Sequence, residues 1–101
     1  MVKRRGFRIE LGEIERALYL HPNIHEAAIV SVQDDNLAVK IVACISCEGD
    51  RTSLVELKTF CASKVPTYMV PDRFVFQDRL PRTSSDKVDY QALKQQMTRG
   101  A

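Results

Sequence analysis

Two alternating apolar runs constrain this chain more than anything else in it. In residues 24–32, Ala28, Val30 and Val32 alternate with Ile29 and Ser31. In residues 37–47, Leu37, Val39, Ile41, Ala43 and Ile45 alternate with smaller or polar residues. A period of two is the period of a strand, whose successive side chains point to opposite faces. Gln33-Asp34-Asp35-Asn36 between the runs is good turn chemistry, so the two strands are expected to pair antiparallel.

Other elements read from their own signals. Val2 to Arg4 and Phe7 to Ile9 flank Gly6 and suggest a hairpin over residues 2–9, because glycine permits a tight turn. Leu11, Ile14 and Leu18 recur at helical spacing, which predicts a helix over 11–19. Glu10, Glu13 and Glu15 suit its positive end, and Pro22 stops it. Ser53 and Glu56 have capping-box spacing at the start of a second helix. Leu54, Leu57, Cys61 and Val65 are its expected buried stripe, and Pro66 ends it. Residues 73–77 read as a third strand and residues 81–88 as a polar loop. A last helix is expected over 89–97, with Asp89 as cap and Tyr90, Leu93 and Met97 inward. The expected fold is α+β: a three-stranded, antiparallel-containing sheet packed with helices, plus an N-terminal β-hairpin. It divides into a hairpin (1–9), an α/β body (10–97) and a frayed tail (98–101).

A length of 101 residues suits one domain. With 45% hydrophobic and 28% charged residues, the composition is that of a soluble globular protein. No apolar run approaches the ~20 residues that span a membrane. Met-Val-Lys-Arg-Arg-Gly at the start lacks the apolar segment of a secretory signal. A net charge of +2 demands no polyanionic partner. Cys44 and Cys47 form a C-x-x-C, a spacing known from zinc and redox sites. Zinc needs about four ligands, and Cys61, His21 and His25 show no paired spacing. Cys44 lies inside a β-branched run, where it reads as a small buried apolar residue. Reduced thiols in a cytoplasmic protein without a metal site are the expectation.

Three stretches carry chemistry. Leu80-Pro-Arg-Thr-Ser-Ser-Asp-Lys-Val-Asp89 sets one lysine, Lys87, in a polar loop between a strand and a helix. It is either a solvated surface residue or a mobile cation of long reach. Lys3-Arg4-Arg5-Gly6-Phe7-Arg8 clusters cations around a glycine turn, which fits a solvated hairpin or a phosphate or nucleic-acid contact. Val65-Pro-Thr-Tyr-Met-Val-Pro71 suggests a stiff extended connector with Tyr68 and Met69 as packing residues.

Taken together, the three resemble the C-terminal subdomain of nonribosomal peptide synthetase adenylation domains, in the adenylate-forming superfamily with acyl-CoA synthetases and luciferases. Val2 to Glu15 resembles the motif after the hinge of that family, Val65 to Pro71 the next, and Arg82 to Asp89 the last. Order and spacing match across essentially the whole chain. The tyrosine-methionine-proline character of the middle motif is similar to the peptide synthetase branch. The family usually carries asparagine-glycine before its lysine, where this chain has Ser85-Asp86. Aspartate still turns the backbone and tolerates a left-handed conformation.

The resemblance implies a mobile lobe that supplies Lys87 as catalytic residue for acyl-AMP formation from ATP with Mg²⁺. It then turns another face, with Gly6, Phe7 and Arg8 at a phosphopantetheine tunnel, to thioester formation. Arg4 and Arg5 become candidate contacts for the phosphopantetheine phosphate or the carrier protein. The implied partners are an N-terminal adenylation core and a peptidyl or acyl carrier protein, with no nucleic acid and no membrane. ATP, Mg²⁺ and the acid would be held by the core, outside this chain, so the isolated lobe is expected to be inactive. Three other readings are the equivalent lobe of an acyl- or aryl-CoA ligase, a non-catalytic carrier-binding module, and a small nucleic-acid-binding domain using Lys3 to Arg8, which a basic patch alone does not make.

Overall fold

The computed structural model describes all residues except 1, 5, 34–37, 48–52 and 100–101, and only the backbone of 2–4, 7, 98 and 99. β1 (Val2–Arg4) and β2 (Phe7–Ile9) form the expected antiparallel hairpin, with Arg4 opposite Phe7. α1 (Leu11–Tyr19) follows and buries Ile14, Ala17 and Leu18, three positions on one helical face. β3 (Ile24–Gln33) and β4 (Val39–Cys47) then pair antiparallel, with Ala27 opposite Ile45 and Ser31 opposite Ile41. The turn expected at 33–36 lies, after Gln33, outside the described residues. α2 (Leu54–Lys64) crosses over to β5 (Arg73–Phe76), which pairs parallel to β4. A parallel return requires such a crossover, and the sheet, ordered β3-β4-β5, is therefore mixed. Asp72 starts the parallel ladder: Ile41 N–H donates to its carboxylate at 2.8 Å and Asp72 N–H donates to Ile41 O at 2.8 Å. α3 (Tyr90–Arg99) closes the chain.

Helices cover both faces of the sheet. Ala27, Ile29, Ile41, Ala43 and Ile45 pack with Ile14 and Leu18 of α1, Leu57 and Cys61 of α2, Ile9 and Met69. Ala28, Val30, Val42 and Cys44 pack instead with Leu80 and Leu93. Double coverage explains why β3 is apolar at consecutive positions. Cys44 belongs to the second cluster, while Cys47 packs against the first. Residues three apart on a strand face opposite ways, so this C-x-x-C cannot grip one ion. Burial pushes the Cys44 and Cys61 thiols up to about 11, as for inert core cysteines.

β3 is an edge strand, and α1 closes its edge. Ala27 N–H donates to the Tyr19 hydroxyl at 3.1 Å and Ile29 N–H to the Glu15 carboxylate at 3.2 Å. Tyr90 OH donates to the same carboxylate at 2.7 Å. Glu15 thus ties α1, β3 and α3 together. Tyr90 was expected inward; it is 43% exposed because its hydroxyl reaches this edge instead. Partial burial, then the Glu15 bond, raise its phenol above the ordinary range.

Four further expectations need correction. Leu54 is 43% exposed, because the stripe of α2 begins at Leu57. The capping box is half formed. Ser53 Oγ accepts from Glu56 N–H at 3.1 Å, but the Glu56 carboxylate accepts from His21 Nε2 at 2.9 Å. His21 Nδ1 accepts from Asn23 N–H at 3.1 Å, which fixes the proton on Nε2. The connector 65–71 is not extended throughout. Thr67–Met69 makes one 3₁₀ turn that buries Met69 in the first cluster. Finally, α3 runs to Arg99, two residues into the expected tail.

Candidate functional site

The loop carrying Lys87 is a small hairpin. Arg82 and Val88 form an antiparallel bridge, and Asp89 N–H donates to Pro81 O at 2.8 Å. Thr83 N–H donates to Lys87 O at 2.7 Å, and Asp86 N–H to Thr83 O at 3.0 Å. Asp86 has φ +63°. A β-turn followed by one left-handed residue is a common way to close a three-residue hairpin loop. The turn therefore asks for a residue that enters the left-handed region, and aspartate is among the few non-glycine types that do so readily.

Side chains brace this turn. Thr83 Oγ1 accepts from Lys87 N–H at 3.3 Å and lies 3.2 Å from Ser85 Oγ. Arg82 Nη1 donates to Asp86 O at 3.2 Å, and its other terminal nitrogen pairs with Glu26 of β3. Below the loop, Leu80 is buried in the second cluster, and Ser46 Oγ donates to Asp78 O at 3.1 Å. Beyond it, Asp89 Oδ1 caps α3 by accepting from Ala92 N–H at 3.0 Å. Lys87 sits at the exposed end of this mount. Its ammonium group makes no hydrogen bond or ion pair with any described residue.

The N-terminal hairpin is built differently. Gly6 has φ +82° and is exposed, and a Cβ placed on it meets no atom within 4 Å. Lys3 stands opposite Arg8 in the ladder. Arg8 Nε donates to the Glu10 carboxylate at 3.1 Å, with the two side chains 70% and 45% exposed, an arrangement worth little to stability. Phe7 and Arg4 are paired through their backbones, their side chains lie outside the described residues, and so does Arg5. No hydrogen bond or ion pair among the described residues joins this hairpin to the Lys87 loop.

Sequence reasoning passed over Glu26. A signal was present: Glu26 is a carboxylate inside an apolar run, at a place where burial needs a partner. A bulge between Ile24 and Glu26 shifts the strand register there. It returns Ile24 to the first cluster and leaves Glu26 on the second face, directly opposite Ser46. Among the described residues, no group of three or more His, Cys, Asp or Glu side chains could hold a metal ion. No helix among them is long and apolar enough to cross a membrane.

The comparisons with known proteins agree with this architecture. The family model described as "AMP-binding enzyme C-terminal domain" matches residues 13–87. The L-proline–(L-prolyl-carrier protein) ligase of Streptomyces coelicolor is 47% identical over 94 residues, 92% of this chain and 18% of that protein. Bacitracin synthase 1 of Bacillus licheniformis is 47% identical over 92 residues, 91% of this chain and 2% of that protein. Among solved structures, a four domain nonribosomal peptide synthetase bound to AMP and glycine superposes with a TM-score of 0.81 at 37% identity, covering 91% of this chain and 7% of that one. The chain thus spans less than a fifth of the curated relatives it matches here.

Proposed function

Because the chain belongs to the AMP-binding enzyme C-terminal domain family of adenylate-forming ligases, we propose that residues 1–101 are the mobile C-terminal lobe of an adenylation domain that activates an amino acid or related acid. Lys87 is its catalytic residue. The observation that carries this reading is the Lys87 loop: a tightly braced turn that ends in a cation with no partner among the described residues.

The physical reason is charge. In adenylate formation a carboxylate attacks the α-phosphate of ATP, so one anion approaches another. A cation between the carboxylate and α-phosphate oxygens reduces that repulsion and stabilises charge developing in the transition state. Lysine suits the task as a compact point charge with rotatable donors. Fixing the backbone beneath it while leaving the ammonium unpaired keeps that charge available to a docking partner. Among the described residues no group of three or more His, Cys, Asp or Glu side chains could hold a metal ion, and the Mg²⁺ accompanying ATP is assigned to the N-terminal core.

For thioester formation the lobe turns its hairpin to the same centre. The open space around Gly6 supports a role in admitting the phosphopantetheine arm of a carrier protein, with Phe7 and Arg8 beside it. Arg4 and Arg5 are assigned to the phosphate of that arm or to the carrier surface. The hairpin and the body act as one unit in this swing. The carrier-protein acceptor rests on the likeness to the L-proline–(L-prolyl-carrier protein) ligase.

The test is reconstitution. The lobe joined to an N-terminal adenylation core should catalyse ATP–pyrophosphate exchange dependent on the acid, and the chain alone should catalyse none. With a carrier protein and coenzyme A offered as rival acceptors, acyl transfer should favour the carrier. Preference for coenzyme A would move the lobe to the CoA ligase branch, and exchange by the chain alone would refute the division of labour.

A further inference from the structure

Glu26 is 8% exposed, a carboxylate at the end of the second apolar cluster. An unpaired charge there would be costly, so the position demands a cation. Arg82 meets it from the Lys87 loop, and the same guanidinium donates its Nη1 proton to the carbonyl oxygen of Asp86. That carbonyl belongs to the peptide bond that joins Asp86 to Lys87. One planar fork therefore spans from the sheet to the left-handed residue just before the lysine. Arginine can do this and lysine cannot, because only the guanidinium offers several donors in a fixed plane.

We infer that Arg82, anchored on Glu26, is a positioning residue that holds the Lys87 turn in register with the sheet. The inference rests on the proposed catalytic role of Lys87 and deepens it. The bulge at Ile24–Glu26 is part of the device, because it keeps Glu26 on the face where the loop docks. The strut serves only the step that uses Lys87. Thioester formation, assigned to the N-terminal hairpin, does not depend on it.

The discriminating variant is Arg82→Lys in the lobe joined to its adenylation core, since it retains a cation for Glu26 but loses the second arm to Asp86. Arg82→Ala and Glu26→Gln accompany it, and Lys87→Ala is the control. Arg82→Lys is expected to keep the thermal midpoint within a few degrees. It should lower kcat for adenylate formation about 10–100-fold, as small misplacements of a catalytic group do, with KM for ATP changed less than about threefold. Transfer from supplied acyl adenylate should stay at the wild-type rate. In the 101-residue chain, hydrogen exchange of the Thr83 and Asp86 amides should accelerate in the same variant. Wild-type kcat with unchanged amide exchange would overturn the inference, and so would equal losses in both half-reactions, which mark a merely stabilising ion pair. If Lys87→Ala itself preserves adenylate formation, the lysine reading falls and takes the strut with it. If Lys87→Ala abolishes the step while Arg82→Lys does not slow it, only the strut is wrong.

Discussion

Gly6 and Asp86 are both left-handed, at φ +82° and φ +63°, and both close tight turns between short paired segments. Their surroundings differ in kind. Around Gly6 nothing of the described chain beyond its immediate neighbours comes within 4 Å of where a Cβ would stand. Around Asp86 the turn is held by Thr83 O, by the Thr83 hydroxyl one residue on, and by Arg82, which is tied to a buried carboxylate. The first turn is defined by space left open, the second by a backbone fixed under a charge. Under the proposed function, this contrast would serve two half-reactions with opposite needs. One needs a cation delivered to a set point, and the other needs room for a thiol-bearing arm to pass.

The largest expected effect comes from removing that charge. In the lobe joined to its core, Lys87→Ala should lower ATP–pyrophosphate exchange by ~10²–10³, the usual cost of deleting a donor that acts on transition-state charge. Acyl transfer from supplied adenylate should be spared. Lys87→Arg should recover little, because a planar fork does not replace a compact ammonium. A loss shared equally by the two steps would erase the contrast between the turns.

The reverse experiment concerns the open turn. Gly6→Leu should depress thioester formation at least ~10-fold while adenylate formation stays within about twofold, if a bulky side chain blocks an arm that must pass close by. Backbone strain is separated from blockage by Gly6→Asn, because asparagine enters the left-handed region readily. Asparagine should fall between glycine and leucine in transfer rate, with little change in thermal midpoint. Equal transfer by leucine and glycine would leave the open space without a function.

How much of this could be read beforehand follows from the range of each signal. Alternation over 24–32 and 37–47 and helical spacing over 11–19 are local, and both returned the right elements among the described residues. The parallel pairing of β5 was not legible, because it depends on where α2 carries the chain. Leu54 and Tyr90 were placed inward by periodicity, yet periodicity marks a face without saying where the partner layer stops. Lys87 and Gly6 were legible as residues of motifs. The Arg82–Glu26 strut joins residues 56 positions apart in sequence and depends on a one-residue bulge that shows no pattern in the chain.

The smallest expected effect tests the braced turn itself. The Asp86 carboxylate makes no hydrogen bond or ion pair with any described residue, so only its backbone angle is at stake. Left-handed backbone costs an ordinary L-residue roughly 1–2 kcal/mol, and aspartate less. Asp86→Gly removes that strain but adds roughly 0.5–1 kcal/mol of chain entropy to be lost on folding. The two nearly cancel, so the thermal midpoint should shift by no more than a few degrees and exchange activity should persist. Asp86→Val carries the full strain plus β-branching, for which positive φ is a genuine outlier. It should cost about 1–2 kcal/mol, or roughly 5–10 °C in a domain of this size, and should slow adenylate formation as the lysine loses its register. The glycine and valine variants thus bracket the native residue. If both melt alike, no left-handed residue is needed before Lys87, and the likeness between the two turns from which their difference was drawn does not exist.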